Sequence, residues 1–408
     1  MVHKSQKQKS FSPIANIKVV GVGGGGGNAI SRMSRNFIRG VDFVAINTDH
    51  QDLDHCEVRH KVYIGKNLTR GLGTGMNPDL GRQAAEENRA EIAEAVKGAD
   101  LVFIAAGLGG GTGTGVSPIV AEAAKHAGAL TLAFVTKPFT FEGTQRQRIA
   151  EEGLMKLKDK VDALIVVPND RIFTVISKDA PVIKAFEAID DVLRNALHGL
   201  VELIVTPGII NLDFADVRSV VQDAGLAIVG VGVSTGADRA VRAVNLALNS
   251  PLLEVSSEGA RGVLLGISGG RDLKMNEINE AAKLVAQTVD PGARIIFGAY
   301  YDRHLKGNQL KVTLIATGIN GQVPTTSLFG FRERKEPGGI ASVTRPSFVR
   351  EEEMKVAEQK AKIEKLTEGK DLPESGEGAQ GGAKSDKAKG KKTDNDVWDI
   401  PTFLRRRR

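Results

Sequence analysis

From residue 17 onward, short apolar runs alternate with amphipathic stretches. IKVVGVG (17–23), VDFVAINTD (41–49), ADLVFIAAG (99–107), ALTLAFVTKP (129–138) and VDALIVVPND (161–170) each end in Gly, Asp or Pro. Apolar runs of this length, closed by turn residues, predict strands buried on both faces. Between them, 81–97 and 116–127 carry apolar residues at helical spacing. That alternation predicts an α/β fold: a doubly wound parallel sheet with its ligand at the carboxyl ends of the strands. A longer helical pattern follows at 180–204, closed by Pro207 and Gly208. A second set then begins, with LAIVGVGV (226–233), RGVLLGIS (261–268), ARIIFGAY (293–300) and KVTLIAT (311–317) as strands and helices near 238–248 and 275–288. It reads as a smaller α/β domain joined to the first through the long helix.

Past residue 320 the periodicity stops, and Gly, Lys, Glu, Ser and Gln dominate. Such a segment cannot bury enough apolar surface to offset its ordering entropy, so disorder is expected. The expected organisation is a flexible basic arm (1–16), a ligand-binding domain (17–180), a connecting helix (181–206), a second α/β domain (207–320), a disordered linker (321–393) and a terminal peptide (394–408). A linker of that length has an r.m.s. reach of roughly 45–50 Å.

The formal charge of +6 over 408 residues invites a nucleic-acid reading until its location is considered. Residues 1–16 carry +3, and 321–408 hold 19 basic against 15 acidic residues, which leaves the body at −1. A near-neutral body has no electrostatic footprint for a phosphate backbone, so no nucleic-acid partner is expected. Cys56 is the one cysteine, which excludes an internal disulfide and fits a reducing compartment. With neither a signal-peptide pattern nor an apolar run of membrane-spanning length, a cytoplasmic location is expected.

The candidate chemistry is glycine-rich. GVGGGGGNA (21–29) follows a strand and opens a helix, and lets backbone N–H groups approach a phosphate. Gly21, Gly23 and Gly26 also match the dinucleotide fingerprint, with Asp49 about twenty residues on. An NAD(P)-binding oxidoreductase is therefore one alternative, and a tight turn needed only for packing is another. The more specific signal is GGGTGTG (109–115), where two threonines add hydroxyls between a strand and a helix. A third loop, GLGTGMNP (71–78), makes three phosphate-friendly segments on one sheet, more than a dehydrogenase needs, and no Walker A sequence occurs.

GGGTGTG, together with GVGGGGGNA, NTD (47–49), GLGTGMNPDLGR (71–82), TKPFTFEG (136–143) and NLDFADV (211–217), resembles the tubulin/FtsZ family, in its cell-division branch. The resemblance spans about 17–320 plus the final peptide. It implies a self-assembling cytoskeletal GTPase, binding GTP or GDP, with Mg2+ held through phosphates and water rather than by protein ligands. Gly24, Gly25, Gly26, Gly27 and Asn28, with Gly109, Gly110, Gly111, Thr112, Gly113, Thr114 and Gly115, would hold the phosphates. Gly73, Thr74 and Gly75 would lie near the γ-phosphate. Glu142 and Arg146, which otherwise read as an ordinary i,i+4 salt bridge, would contact the ribose and phosphate side. Asn169, Phe186 and Asp190 would handle guanine; Phe186 alone also reads as core, and Asp191 competes with Asp190 for its role.

For hydrolysis, the resemblance makes Asp213 and Asp216 the residues that orient and polarise water, with Asn211 beside them, acting on the nucleotide of a neighbouring copy. Read without it, Asp213 serves equally well as a helix N-cap. The implied partners are other copies of the chain, and division and membrane-adaptor proteins meeting 394–408 through Val397, Trp398, Ile400, Phe403 and Leu404. Membrane contact would be indirect, or weak through Arg405–Arg408. A nucleotide-binding filament protein without turnover is the remaining alternative.

Overall fold

The computed structural model describes residues 15–35, 40–176, 180–206, 208–250, 257–302 and 305–319; nearly all of the arm, the linker and the terminal peptide lie outside them. The first half runs β1 (Ile17–Val22), α1 (Gly23–Ser34), β2 (Val41–Asn47), α2 (His50–His55), β3 (His60–Tyr63), α3 (Lys66–Thr69), α4 (Pro78–Glu87), α5 (Arg89–Val96), β4 (Leu101–Gly107), α6 (Gly111–His126), β5 (Leu130–Lys137), α7 (Thr144–Lys158) and β6 (Ala163–Pro168). The long helix α8 (Val182–Val205) leads to α9 (Phe214–Val221), β7 (Gly225–Thr235), α10 (Arg239–Leu248), β8 (Gly262–Gly269), α11 (Met275–Thr288), β9 (Arg294–Tyr301) and β10 (Gln309–Thr317).

One sheet carries all of these strands, in the order β3-β2-β1-β4-β5-β6-β7-β10-β8-β9. Strands β1 to β6 are mutually parallel where they pair. Their apolar runs are buried on both faces, as a parallel sheet between helical layers demands. One face packs residues such as Val19, Phe103 and Phe134 against α1 and α8. The other packs Val20, Ile104 and Val135 against α4 to α7. The direction of winding reverses between β1 and β4, and a crevice at the carboxyl ends of those strands is where such folds bind ligands.

Strand β7 continues the sheet, pairing with β6 only over Ala163–Ile165. The last strand, β10, inserts antiparallel between β7 and β8. A separate core under α10 and α11 closes this part. Helix α8 buries Ala185, Ile189, Leu193, Ala196, Leu197, Leu200 and Ile204, a stripe at helical spacing that draws it against both halves.

The structure corrects the expected elements in two places. The single helix over 81–97 is α4 and α5, broken at Asn88, whose Oδ1 accepts a hydrogen bond from the Gly65 amide at 2.8 Å. The predicted loop at 109–115 is for the most part helix, because α6 begins at Gly111 rather than near 116. Its glycines are packing residues: a methyl on Gly113 would overlap the Gly107 carbonyl, and one on Gly115 would overlap the Pro78 carbonyl of α4. Helix α6 thus lies directly on the backbones of β4 and α4.

Candidate nucleotide site

A cavity of about 560 Å3 opens at the reversal point, lined by the ends of β1 and β4 and the first turns of α1 and α6. Neither helix has a side-chain cap or an acid in its first turn. Apart from the Gly111 amide, which donates to the Gly75 carbonyl, their leading N–H groups and positive dipole ends are therefore available to an anion. The two N-termini meet backbone to backbone: Gly23 adopts a left-handed conformation (φ 68°), and a Cβ there would lie 2.9 Å from the Gly113 nitrogen.

The 71–78 segment folds over this end of the cavity. The Gly75 carbonyl accepts from the Gly111 amide at 2.8 Å, and the Thr74 hydroxyl lies 2.9 Å from that of Thr112. Beside them Asp49 caps α2, accepting from the Asp52 amide at 3.1 Å, and Asn47 donates to the Asp52 carboxylate at 2.8 Å. Asp49 and Asp52 both line the cavity.

On the adjoining wall, Arg146 donates to Glu142 at 2.6 Å, and Glu142 also accepts from the Phe139 amide at 2.9 Å. The pair does not share one helix: Glu142 closes a short 3-10 turn (Thr140–Glu142), and Arg146 stands in the first turn of α7. Both line the cavity, and the Glu142 side chain is largely buried. The far end is formed by Asn169, Phe186, Ile189, Asp190, Leu193 and Arg32. Asn169 Oδ1 is buried with no hydrogen-bond partner among the described residues, an acceptor left for a ligand. Asp190 pairs with Arg32 of α1, whereas Asp191 pairs with Arg194 at 2.9 Å and stays exposed. Burial pushes the Asp190 carboxyl up to about 6, against the opposing pull of Arg32.

Sixteen of the residues read from the sequence therefore line one cavity: Gly24, Gly25, Gly26, Asn28, Gly73, Thr74, Gly75, Gly110, Gly111, Thr112, Gly113, Glu142, Arg146, Asn169, Phe186 and Asp190. Gly27, Gly109, Thr114 and Gly115 do not. Thr114 instead accepts from the Gly109 amide at 2.9 Å, closing the turn into α6. Arg32 and Asp52 also line the cavity and were not singled out from the sequence, and neither Asn47 nor Thr136, which stand in the NTD and TKPFTFEG motifs, was given a role there. Of these Arg32 carried a signal, standing four residues after Asn28 and so on the same face of α1.

Asn211, Asp213 and Asp216 are absent from the cavity wall. Asp213 is the N-cap of α9, accepting from the Asp216 amide at 2.7 Å, while Asp216 accepts from the Asp213 amide at 3.3 Å. This reciprocal box fixes both carboxylates at one helix start. Asn211 Oδ1 accepts from the Gly208 amide at 2.5 Å. Between this acidic segment and the cavity lies the second half of α8: from Leu193, which lines the cavity, the helix runs on to Val205, about 18 Å further. Its Phe186–Leu193 turns line the cavity, and the acidic segment follows its far end.

The family model described as Tubulin/FtsZ family, GTPase domain, matches residues 16–177, and that described as FtsZ family, C-terminal domain, matches 225–320. Among solved structures, the empty FtsZ dimer of M. jannaschii is 46% identical, covering 81% of this chain and 95% of its own, with a TM-score of 0.71. A point mutant of the M. jannaschii protein is 48% identical over 75% of this chain and 91% of its own, with a TM-score of 0.70. CetZ1 of Haloferax volcanii, a GDP-bound monomer, shares the fold at 21% identity, with a TM-score of 0.64 over 76% of this chain and 96% of its own. The oxidoreductase alternative falls with these matches.

Proposed function

This chain belongs to the Tubulin/FtsZ family of GTPases, and on that premise we propose that it polymerises head to tail, each copy completing the hydrolytic site of the next. The observation that carries this reading is that Asp213 and Asp216 are absent from the cavity wall and follow the far end of α8, about 18 Å of helix beyond Leu193. A chain folded in this way holds Asp213 off the wall of its own cavity. A neighbouring copy can supply it. Apolar side chains stand exposed at both places, Leu72, Met76 and Phe141 around the cavity and Ile209 beside the acidic segment, which suits two dissimilar faces meeting in a head-to-tail contact. The solved relatives include an FtsZ dimer and a CetZ2 protofilament.

In this reading the N-terminal turns of α1 and α6 bind the phosphates, and Gly73, Thr74 and Gly75 face the terminal one. Glu142 and Arg146 hold the ribose side. Asn169 and Asp190 read the edge of guanine, and Phe186 packs on its face. In the neighbour, the capping box occupies one oxygen of each carboxylate and leaves Asp213 Oδ2 and Asp216 Oδ1 to hold and polarise the attacking water. The phosphate end offers backbone amides and hydroxyls, and no group of three or more His, Cys, Asp or Glu suited to a metal occurs among the described residues. Mg2+ would be carried on phosphate oxygens and water, where it would neutralise phosphate charge, and the Asp49 and Asp52 carboxylates in the cavity wall suit a hydrated cation. No helix among the described residues is long and apolar enough to cross a membrane. We place the filament in the cytoplasm at a division ring, with 394–408 recruiting division and membrane-adaptor proteins.

The test is kinetic. GTP turnover per copy is expected to rise with protein concentration, alongside light scattering that requires GTP and Mg2+. Turnover independent of concentration would remove the shared site.

A second expectation concerns pH. The folded chain holds the Asp190 proton more tightly than the unfolded chain, so the ionised carboxyl costs stability at neutral pH. That cost fades as pH falls from about 6 toward the ordinary carboxylate range. Guanine presents N–H donors to this carboxylate, so protonation removes an acceptor. GTP affinity is expected to drop as pH is lowered through about 6, and Asp190→Asn to flatten that profile. An unchanged profile in the variant would dissociate Asp190 from the base.

A further inference from the structure

Three threonine hydroxyls meet beneath the phosphate end of the cavity. Thr112 Oγ1 lies 2.7 Å from Thr48 Oγ1 and 2.9 Å from Thr74 Oγ1. All three residues are buried, but Thr74 and Thr112 line the cavity while Thr48 does not. Each comes from a different place in the chain: Thr48 from the end of β2, Thr74 from the 71–78 segment and Thr112 from the first turn of α6. The backbone of Thr48 is pinned as well. Its amide donates to Asn47 Oδ1 at 2.9 Å, and its carbonyl accepts from Thr69 Oγ1 at 3.2 Å and from the Gly73 amide at 3.3 Å.

Counting protons gives this cluster a direction. A hydroxyl has one proton to donate and two lone pairs to accept with. The two O···O contacts consume two of the three protons, which leaves one. Thr48 is fully enclosed, and Thr112 is the one acceptor its hydroxyl reaches among the described residues. Were Thr48 the acceptor in that contact, its own proton would be stranded in the interior, a costly arrangement. Thr48 therefore donates to Thr112. The unspent proton then belongs to Thr112 or to Thr74, and both face the cavity.

We propose that Thr48 is a positioning residue: by donating to Thr112 it fills one lone pair of that hydroxyl and fixes its rotation, so that the unspent proton is held toward the terminal phosphate, favouring GTP over GDP. The proposal rests on the reading of the 73–75 segment as the terminal-phosphate side of a GTP site.

The experiment is equilibrium binding of GTP and of GDP to the full chain, at concentrations where no scattering develops, for wild type, Thr48→Val, Thr48→Ala and Thr48→Ser. Either substitution without the hydroxyl is expected to weaken GTP roughly tenfold, the scale of one charge-assisted hydrogen bond, while GDP moves much less. Thr48→Ser is expected to restore the GTP-to-GDP ratio. A ratio unchanged in Thr48→Val and Thr48→Ala, a ratio that serine fails to restore, or equal loss of both nucleotides would overturn the proposal. Equal loss marks a purely structural threonine. Wild-type protein binding neither nucleotide would instead remove the site reading, a different outcome from any of these.

Discussion

Asparagine in place of Asp213 is expected to leave GTP bound and to slow its hydrolysis by roughly a hundredfold or more, the scale on which a positioned general base acts. The choice of asparagine matters because Asp213 has two possible duties. It caps α9 through the Asp216 amide at 2.7 Å, and an alanine there would also cost about 1 kcal/mol of helix stability. Asparagine caps as well as aspartate does, so only the charge is lost. Binding of labelled GTP and release of phosphate, measured on the same preparation, separate the two duties. Normal turnover in Asp213→Asn would reduce the acidic segment to a cap. Loss of GTP binding would contradict the distance between this segment and the cavity of its own chain.

The second large effect is a contrast between neighbours. Gly26→Ala places a methyl onto the Ala105 carbonyl of β4, and α1 cannot retreat because the same turn is held against Gly21. Overpacking of backbone on backbone should cost about 3 kcal/mol or more. Gly27→Ala meets nothing within 4 Å at a helical position, so it should be neutral or stabilise by about 0.4–1 kcal/mol. Urea unfolding without nucleotide reads both. Equal midpoints for the two variants would mean that α1 does not rest on β4 in the manner described.

That contrast also marks where sequence reasoning stopped. Apolar runs of five to eight residues are local signals, and they located β1, β2, β4, β5 and β6 because a strand buried on both faces needs little else. The glycine runs were legible as close backbone approach but not as to what approaches. Gly24 and Gly25 line the cavity, whereas Gly115 faces Pro78 of a helix that lies far back in the chain. The break at Asn88 had no local signal, since apolar spacing runs on through it and the cause is the Gly65 amide across the fold. The insertion of β10 between β7 and β8 was hidden for the same reason, as pairing partners are chosen by topology. At the candidate site, motif order gathered residues from all three glycine-rich segments that line one cavity. The ion pair of Arg32 with Asp190 joins α1 to α8 across more than 150 residues of chain, and no pattern within either helix announces it.

The reach of α8 has a further consequence for any row of these molecules. If each copy completes the site of the next, as proposed, every junction between copies makes one complete site, and a row contains one fewer junction than members. One terminal molecule would then present a nucleotide without carboxylates to act on it, while the opposite terminus would present carboxylates with nothing to act on. The two tips would be chemically unlike from the first pairing onward. Catalytic output per molecule would start at half in a pair and climb as rows lengthen, so that row length itself would set the rate.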